Sequence, residues 1–300
     1  MLIWINDFLH YMLAQRGCSP RTHETYRIAL NDCADYMRAR NPNISWTEVD
    51  TLCVRRWVAW MMENGYAPNT VNKSLSALRS FYKFLLREGR VSVDPARLVS
   101  NPKTPKRLPT FIKESEMDLL FSHYPFSDDY IGCRDRTLLL LLYHTGIRAA
   151  ELLALNLQDI RESSNTIRVT GKGNKQRIIP YGKELAEALN RYLSLRAATY
   201  SSLPHDEVAL FLNKRGQRLS YTSLRKMVNA TLSAVTTQQK RSPHVLRHSF
   251  ATAMLSGGAQ LEAIRQLLGH ESVTTTAIYT HTTLAELKEQ YARSHPHDEE

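Results

Sequence analysis

The stretch Thr166-Ile-Arg-Val-Thr-Gly-Lys-Gly-Asn-Lys-Gln-Arg-Ile-Ile-Pro180 reads as two short strands joined by a turn. Thr166–Thr170 and Gln176–Pro180 are β-prone runs, and Gly171-Lys-Gly-Asn-Lys175 between them supplies the permissive residues that a hairpin requires. Helical patterns lie on both sides of this ribbon. It therefore decides the fold class: mainly α, of the α+β kind, with a small antiparallel sheet inside a mostly helical domain. Downstream, from Lys183 on, helices dominate, and Gly257-Gly258 and Gly269 supply helix stops. Upstream, Glu114–Ser122 and Asp135–Tyr143 read as helices, the second leading into Arg148–Glu151.

Further upstream, Val99-Ser-Asn-Pro-Lys-Thr-Pro-Lys-Arg-Leu-Pro109 marks a boundary. Pro102, Pro105 and Pro109 cannot continue a helix, and the basic residues between them stay solvated. The reading places a linker at residues 99–109, between an N-terminal domain of residues 1–98 and a C-terminal domain of residues 110–300. The N-terminal part is helical throughout. Ser19-Pro20 opens a helix with Tyr26, Ala29, Leu30, Cys33, Tyr36 and Met37 at the helical period. Pro68-Asn69 opens another, with Val71, Leu75, Leu78, Tyr82 and Leu85 on one side and Lys73, Arg79, Lys83 and Arg87 largely elsewhere. Four or five such helices make a small bundle. The tail from Ser294 to Glu300 is polar and reads as frayed.

Length and composition agree with two folded domains. The chain has 300 residues, 43% of them hydrophobic, which excludes a disordered protein. Its net charge of +10 and isoelectric point near 9.5 favour an anionic partner. The excess is uneven. Residues 1–107 hold 16 lysines and arginines against 9 acids, a net of +7, whereas residues 108–300 hold 23 against 20, a net of +3. The first segment thus has the balance of a grip on a polyanion, the second that of a catalytic domain. Cys18, Cys33, Cys53 and Cys133 show neither CxxC pairing nor metal-ligand spacing, which suits a reducing compartment. The run Leu138–Tyr143 is far too short to cross a bilayer, and the apolar N-terminus carries Asp7 and no basic leader. These features predict a cytoplasmic location.

The chemistry-bearing residues come in an ordered set. Attack on a phosphodiester concentrates negative charge on two non-bridging oxygens, a geometry that planar guanidinium groups match. Arg148 and Arg247 are the candidates. Arg247 follows His244 by three positions, so on a helix both project from one face, and His244 can share the phosphate or accept a proton. His270, in Leu268-Gly-His270, adds a second imidazole. Glu151 lies three residues beyond Arg148 and orients that guanidinium or a neighbouring histidine, unless it is an ordinary solvated carboxylate. Lys172, at the hairpin tip between two glycines, can protonate a departing sugar oxygen as general acid, with Lys175 its rival. The run lacks the GxxxxGK[ST] pattern of a phosphate-binding loop. Tyr279, in Thr275-Thr-Ala-Ile-Tyr-Thr-His281, is the candidate nucleophile. Its phenol ionises near pH ~10 in water and needs a base and a positive setting to react. His244 and His248 have a zinc-compatible spacing, but no third ligand accompanies them, and His248 reads as structural. No paired-carboxylate cluster of the two-metal type appears, so the expected chemistry uses no metal or other cofactor.

On these motifs the chain resembles the tyrosine recombinase (phage integrase) family, and most closely its bacterial Xer members. The likeness rests on Thr145-Gly-Ile-Arg-Ala-Ala-Glu-Leu152, Gly171-Lys-Gly-Asn-Lys-Gln-Arg177, Ser242-Pro-His-Val-Leu-Arg-His-Ser-Phe-Ala-Thr252, Leu267-Leu-Gly-His270 and Thr276-Ala-Ile-Tyr-Thr-His281. The resemblance implies that Arg148, Lys172, His244, Arg247, His270 and Tyr279 are catalytic, with Glu151 in support. It implies a helical core-binding domain and a catalytic domain that close around double-stranded DNA. A 3′-phosphotyrosyl intermediate would form, and strand exchange would pass through a Holliday junction. Members act as tetramers, here a homotetramer or a heterotetramer with a related recombinase. A terminal helix, about residues 283–294, would dock on a neighbouring subunit. Ala149-Ala150 departs from the Val-Ser common in Xer proteins. The chain starts directly in the core-binding domain, without the arm-binding domain of many integrases, which favours chromosome or plasmid dimer resolution. The alternatives are a mobile-element integrase, a type IB topoisomerase-like enzyme and a non-catalytic DNA-binding protein.

Overall fold

The structure, a computed structural model, describes residues 1–105, 110–201 and 208–269 together with Tyr291 and Ser294; of Lys172 it describes the backbone. Two units emerge, Met1–Arg107 and Leu108–Glu300.

In the first unit, four helices follow one another among the described residues: α1 (Leu2–Ala14), α2 (Pro20–Arg38), α3 (Thr51–Glu63) and α4 (Pro68–Arg87). Their starts are written in the sequence. Ser19 accepts a hydrogen bond from the Thr22 backbone at 3.2 Å, with Pro20 in the first turn, where its missing N–H costs nothing. Asp50 caps α3 by accepting from the Cys53 N–H at 2.7 Å. On α4 the i, i+4, i+7 stripe Val71, Leu75, Leu78, Tyr82 and Leu85 is buried, as the periodicity predicts. It packs with Phe8 of α1, Leu30 and Cys33 of α2, and Val54 and Trp57 of α3. Each such aliphatic side chain contributes roughly 1.5–3 kcal/mol relative to exposure. The Tyr82 hydroxyl donates to the Trp46 carbonyl at 3.0 Å, so its polar end is satisfied inside the core.

Arg79, which the sequence places off the apolar side of α4, is tied to its own chain. Its guanidinium donates to the carbonyls of Ala96 and Val99 at 3.1 and 2.5 Å and to Asn101 Oδ1 at 2.9 Å. Asn72 donates to the Pro102 carbonyl at 3.1 Å. The chain therefore stays tied to the bundle through residue 102, beyond the start of the proline-rich stretch.

The second unit is built on α6 (Tyr130–Thr145), every residue of which from Thr137 to Thr145 is buried. It packs against α8 (Lys183–Thr199) and α10 (Pro243–Ser256). The helix starts earlier than its apolar run predicts. Asp129 accepts from the Gly132 N–H at 2.8 Å, and Gly132 is needed because a β-carbon there would collide with the Ser127 backbone. Helices α5 (Glu114–His123), α7 (Ala149–Ala154), α9 (Tyr221–Ser233) and α11 (Leu261–Leu268) complete the helical set among the described residues.

The sheet is antiparallel in the order β1 (Ile160–Arg161), β2 (Thr166–Thr170), β3 (Gln176–Pro180). The predicted ribbon is thus β2–β3, with Val169 opposite Arg177, and the two-residue β1 is an unpredicted edge. Ser294, read as the start of a frayed tail, is buried, and its carbonyl lies where any side chain on Gly257 would stand. Tyr291 is buried in this unit's core. The remainder of the expected terminal helix lies outside the described residues.

Candidate active site

Arg148 is placed by the way α6 ends. Gly146 closes the helix in the left-handed region at φ 57°, and a β-carbon there would collide with Phe250 and lie 2.7 Å from Leu268 Cδ2. Thr145 Oγ1 donates back to the Leu141 carbonyl at 2.5 Å and accepts from the Ile147 N–H at 3.3 Å. Ile147 is fully buried, which turns the next residue outward, and Arg148 becomes the N-cap of α7.

Glu151, in the first turn of α7, accepts from the Arg148 backbone N–H at 3.0 Å and from Arg148 Nη1 at 2.8 Å. Of its two sequence readings, the orienting role is the one the geometry supports, since its side chain is only 6% exposed. Arg177, from β3, meets the same carboxylate: Nη1 donates to Oε1 at 3.1 Å and Nη2 to Oε2 at 2.8 Å. Burial alone would raise the Glu151 pKa. The bonds and charge of Arg177, then those of Arg148, outweigh it and hold the carboxyl at about 2.

Arg247, on α10, is 5% exposed. Its Nη1 donates to the Gly146 carbonyl at 2.6 Å and its Nη2 to the Leu268 carbonyl at 2.7 Å. Burial first, and then the nearby Arg148 charge, lower its pKa to about 10, which leaves a cation at neutral pH. Among the described residues its hydrogen-bond acceptors are carbonyls rather than a carboxylate. A buried cation held this way complements an incoming anion better than an already neutralised pair would.

Three successive carbonyls at the end of α11 organise these side chains. Leu267 accepts from Arg177 Nε at 2.8 Å, Leu268 from Arg247 Nη2, and Gly269 from Arg148 Nη2 at 3.0 Å. Helix C-terminal carbonyls lack intrahelical partners and sit at the negative end of the helix dipole, so they are natural acceptors for guanidinium groups. Gly269 ends the helix at φ 62°, and a β-carbon there would press on the Arg177 guanidinium at 3.1 Å.

His244 is exposed on the first turn of α10, one turn from Arg247. Its Nε2 lies 3.2 Å from His248 Nε2, so one ring donates to the other. Burial, then His248, Arg247 and Arg148, lower the His244 pKa below its ordinary value. These neighbours favour the neutral ring, the form that can accept a proton. Among the described residues no group of three or more His, Cys, Asp and Glu side chains could hold a metal ion.

The structure thus brings Arg148, Glu151 and Arg247 to one place, with His244 beside them. Lys172 opens the short 3-10 turn between β2 and β3, where Gly173 at φ 71° and Asn174 at φ 60° reverse the chain and the Gly171 N–H donates to the Lys175 carbonyl at 2.8 Å. Gly171 packs toward Glu151, since a β-carbon there would lie 3.3 Å from Oε1. His270 and Tyr279 lie outside the described residues. Arg177 and the α11 carbonyls were missed by sequence reasoning. Arg177 lies inside the quoted Gly171–Arg177 motif, and its charge on a β-prone run was the available signal.

Comparison with known proteins gives a consistent result. The model of the phage integrase family matches residues 110–286, and that of the phage integrase N-terminal SAM-like domain matches residues 5–89. A protein of Pelotomaculum thermopropionicum named tyrosine recombinase XerC is 40% identical, with 99% of each chain covered. One of Oceanobacillus iheyensis named tyrosine recombinase XerD is 32% identical over 97% of this chain and 98% of its own. Among solved structures, the XerH site-specific recombinase bound to its difH substrate before cleavage matches with a TM-score of 0.72 at 23% identity, covering 96% of this chain and 94% of that one. The Tn1549 transposon integrase in complex with transposon right-end DNA gives 0.71 at 17% identity, covering 97% and 98%. At these identities the two structures show a shared fold.

Proposed function

The chain belongs to the phage integrase family and is a site-specific tyrosine recombinase, and from that premise we propose that it cuts and rejoins double-stranded DNA through a 3′-phosphotyrosyl link to Tyr279, in the Xer-type resolution of chromosome or plasmid dimers. The observation that carries the mechanism is the meeting of Arg148 and Arg247, distant in sequence, on adjacent carbonyls of α11.

In this reading the two guanidinium groups hold the non-bridging oxygens of the scissile phosphate and stabilise the charge that builds up on attack. The Tyr279 oxygen forms a bond to phosphorus, and its proton passes to a neutral imidazole, His244 or His270. The 5′ oxygen departs and takes a proton from Lys172. The new phosphotyrosine conserves the bond, so a 5′-hydroxyl of either DNA partner can attack it, restore the phosphodiester and release Tyr279 without a nucleotide cofactor. The basic first unit grips the duplex backbone, which fixes register but carries no sequence information. The protein works in the cytoplasm as a homotetramer or with a related recombinase, and the terminal residues link subunits. The XerC and XerD names of its relatives favour this task over element integration, topoisomerase-like relaxation or DNA binding without catalysis.

The test is trapping on a nicked suicide substrate in the presence of chelator and without nucleotide. Covalent protein–DNA product is expected from the wild type. It should vanish in Tyr279→Phe and fall steeply in Arg148→Ala and Arg247→Ala, with losses of roughly 100-fold or more. Lys172→Ala should be partly rescued by a 5′-bridging phosphorothioate, whose leaving group needs no proton. A magnesium requirement for cleavage, or product that persists in Tyr279→Phe, would refute the mechanism.

A further inference from the structure

Arg148 is a long side chain, 42% exposed, and a clamp on a phosphate needs a fixed direction. Glu151 supplies that direction only if its own carboxylate cannot turn. Arg177 prevents the turning: it donates to both carboxylate oxygens and leaves them free to accept from the Arg148 N–H and Nη1 on their other side. Arg177 is fixed in turn. Its strand is registered against β2, its Nε is held by the Leu267 carbonyl at 2.8 Å, and Gly269 lies against its guanidinium. All three guanidinium nitrogens are engaged with Glu151 or α11, and the side chain is 14% exposed. Three of its five N–H donors are used in this way and little of the side chain reaches solvent, so its influence on the reaction is assigned to the neighbours it holds.

We propose that Arg177 is a positioning residue for strand cleavage: it locks the Glu151 carboxylate to the last turn of α11 and so aims the Arg148 guanidinium at the scissile phosphate. The proposal rests on the reading of Arg148 as a phosphate clamp. A β-carbon on Gly269, which the left-handed φ of 62° already disfavours, would also crowd this guanidinium at 3.1 Å.

A double-mutant cycle tests it. Single-turnover cleavage of the nicked substrate is measured at saturating protein for wild type, Arg177→Ala, Arg148→Lys and the double variant, with DNA affinity measured separately. Arg177→Ala should slow cleavage by ~10–100-fold while the DNA Kd moves less than ~3-fold. In the Arg148→Lys background the same change should cost less than ~3-fold, because the group it acts through is already gone. Should Arg177→Ala fold poorly, Arg177→Lys keeps the charge but not the planar fork and carries the same cycle, with a smaller loss of the same non-additive form. Equal losses in both backgrounds, or a fall in DNA affinity matching the fall in rate, would mean a merely structural residue and overturn the proposal. A wild type that forms no covalent product would defeat the functional reading as well; additive losses in an active enzyme defeat this proposal alone.

Discussion

Glu151 is a buried acid held between two arginines, and its protonation should be visible in stability. Its folded pKa is about 2 against an ordinary value of 4.5. A depressed carboxyl stabilises the fold fully above the unfolded pKa and loses that contribution as pH falls through the folded one. The stability difference between wild type and Glu151→Gln should be on the order of 3 kcal/mol near neutral pH and narrow as pH drops from 4.5 toward 2. Denaturant unfolding across that range checks it; a difference independent of pH would contradict the assignment. At this scale the sequence named Arg148, Glu151, His244 and Arg247 as candidates because their residue types fit phosphate chemistry. It could not place Arg177, whose meaning depends on which carboxylate faces it across the fold. The partners of Arg79 were hidden for a related reason: three acceptors from later in its own chain converge on it only in the fold.

Elements position the site through their ends. The left-handed stop at Gly146 and the carbonyl row of α11 fix three arginines with, among the described residues, Glu151 as their carboxylate partner. Gly146→Ala combines a positive φ with collision against Phe250 in the core, and a cost of about 2–5 kcal/mol is expected. Gly173→Ala meets open space at φ 71° and should cost about 1 kcal/mol. Thermal or chemical unfolding of the pair checks the contrast, and equal costs would contradict it. The strands β2 and β3 were legible to the residue because β-prone runs flank permissive turn residues, and α2 and α4 because proline marks their first turns. The first turn of α6 was not, since it rests on a cap from Asp129 and a close approach at Gly132 rather than on apolar period. A two-residue strand such as β1 has no period to read. Backbone carbonyls have no letter in the sequence, so the α11 row was invisible there.

For the whole molecule, the uneven charge and the helical make-up of residues 1–107 fit a unit that binds a polyanion, while the second unit gathers the reactive groups. The arginine half of the proposed site is described by the structure. The proposed nucleophile, Tyr279, and His270 are assigned from motif order and family resemblance, and both lie outside the described residues. The most direct measurement is therefore chemical. Covalent complex formed on a nicked DNA substrate in chelator is digested with protease, and the DNA-linked peptide is identified by mass spectrometry. The account predicts one adduct, a 3′-phosphate ester on the Tyr279 oxygen, with a free 5′-hydroxyl on the released strand. Linkage to any other residue, or a 5′-phosphate adduct, would contradict it.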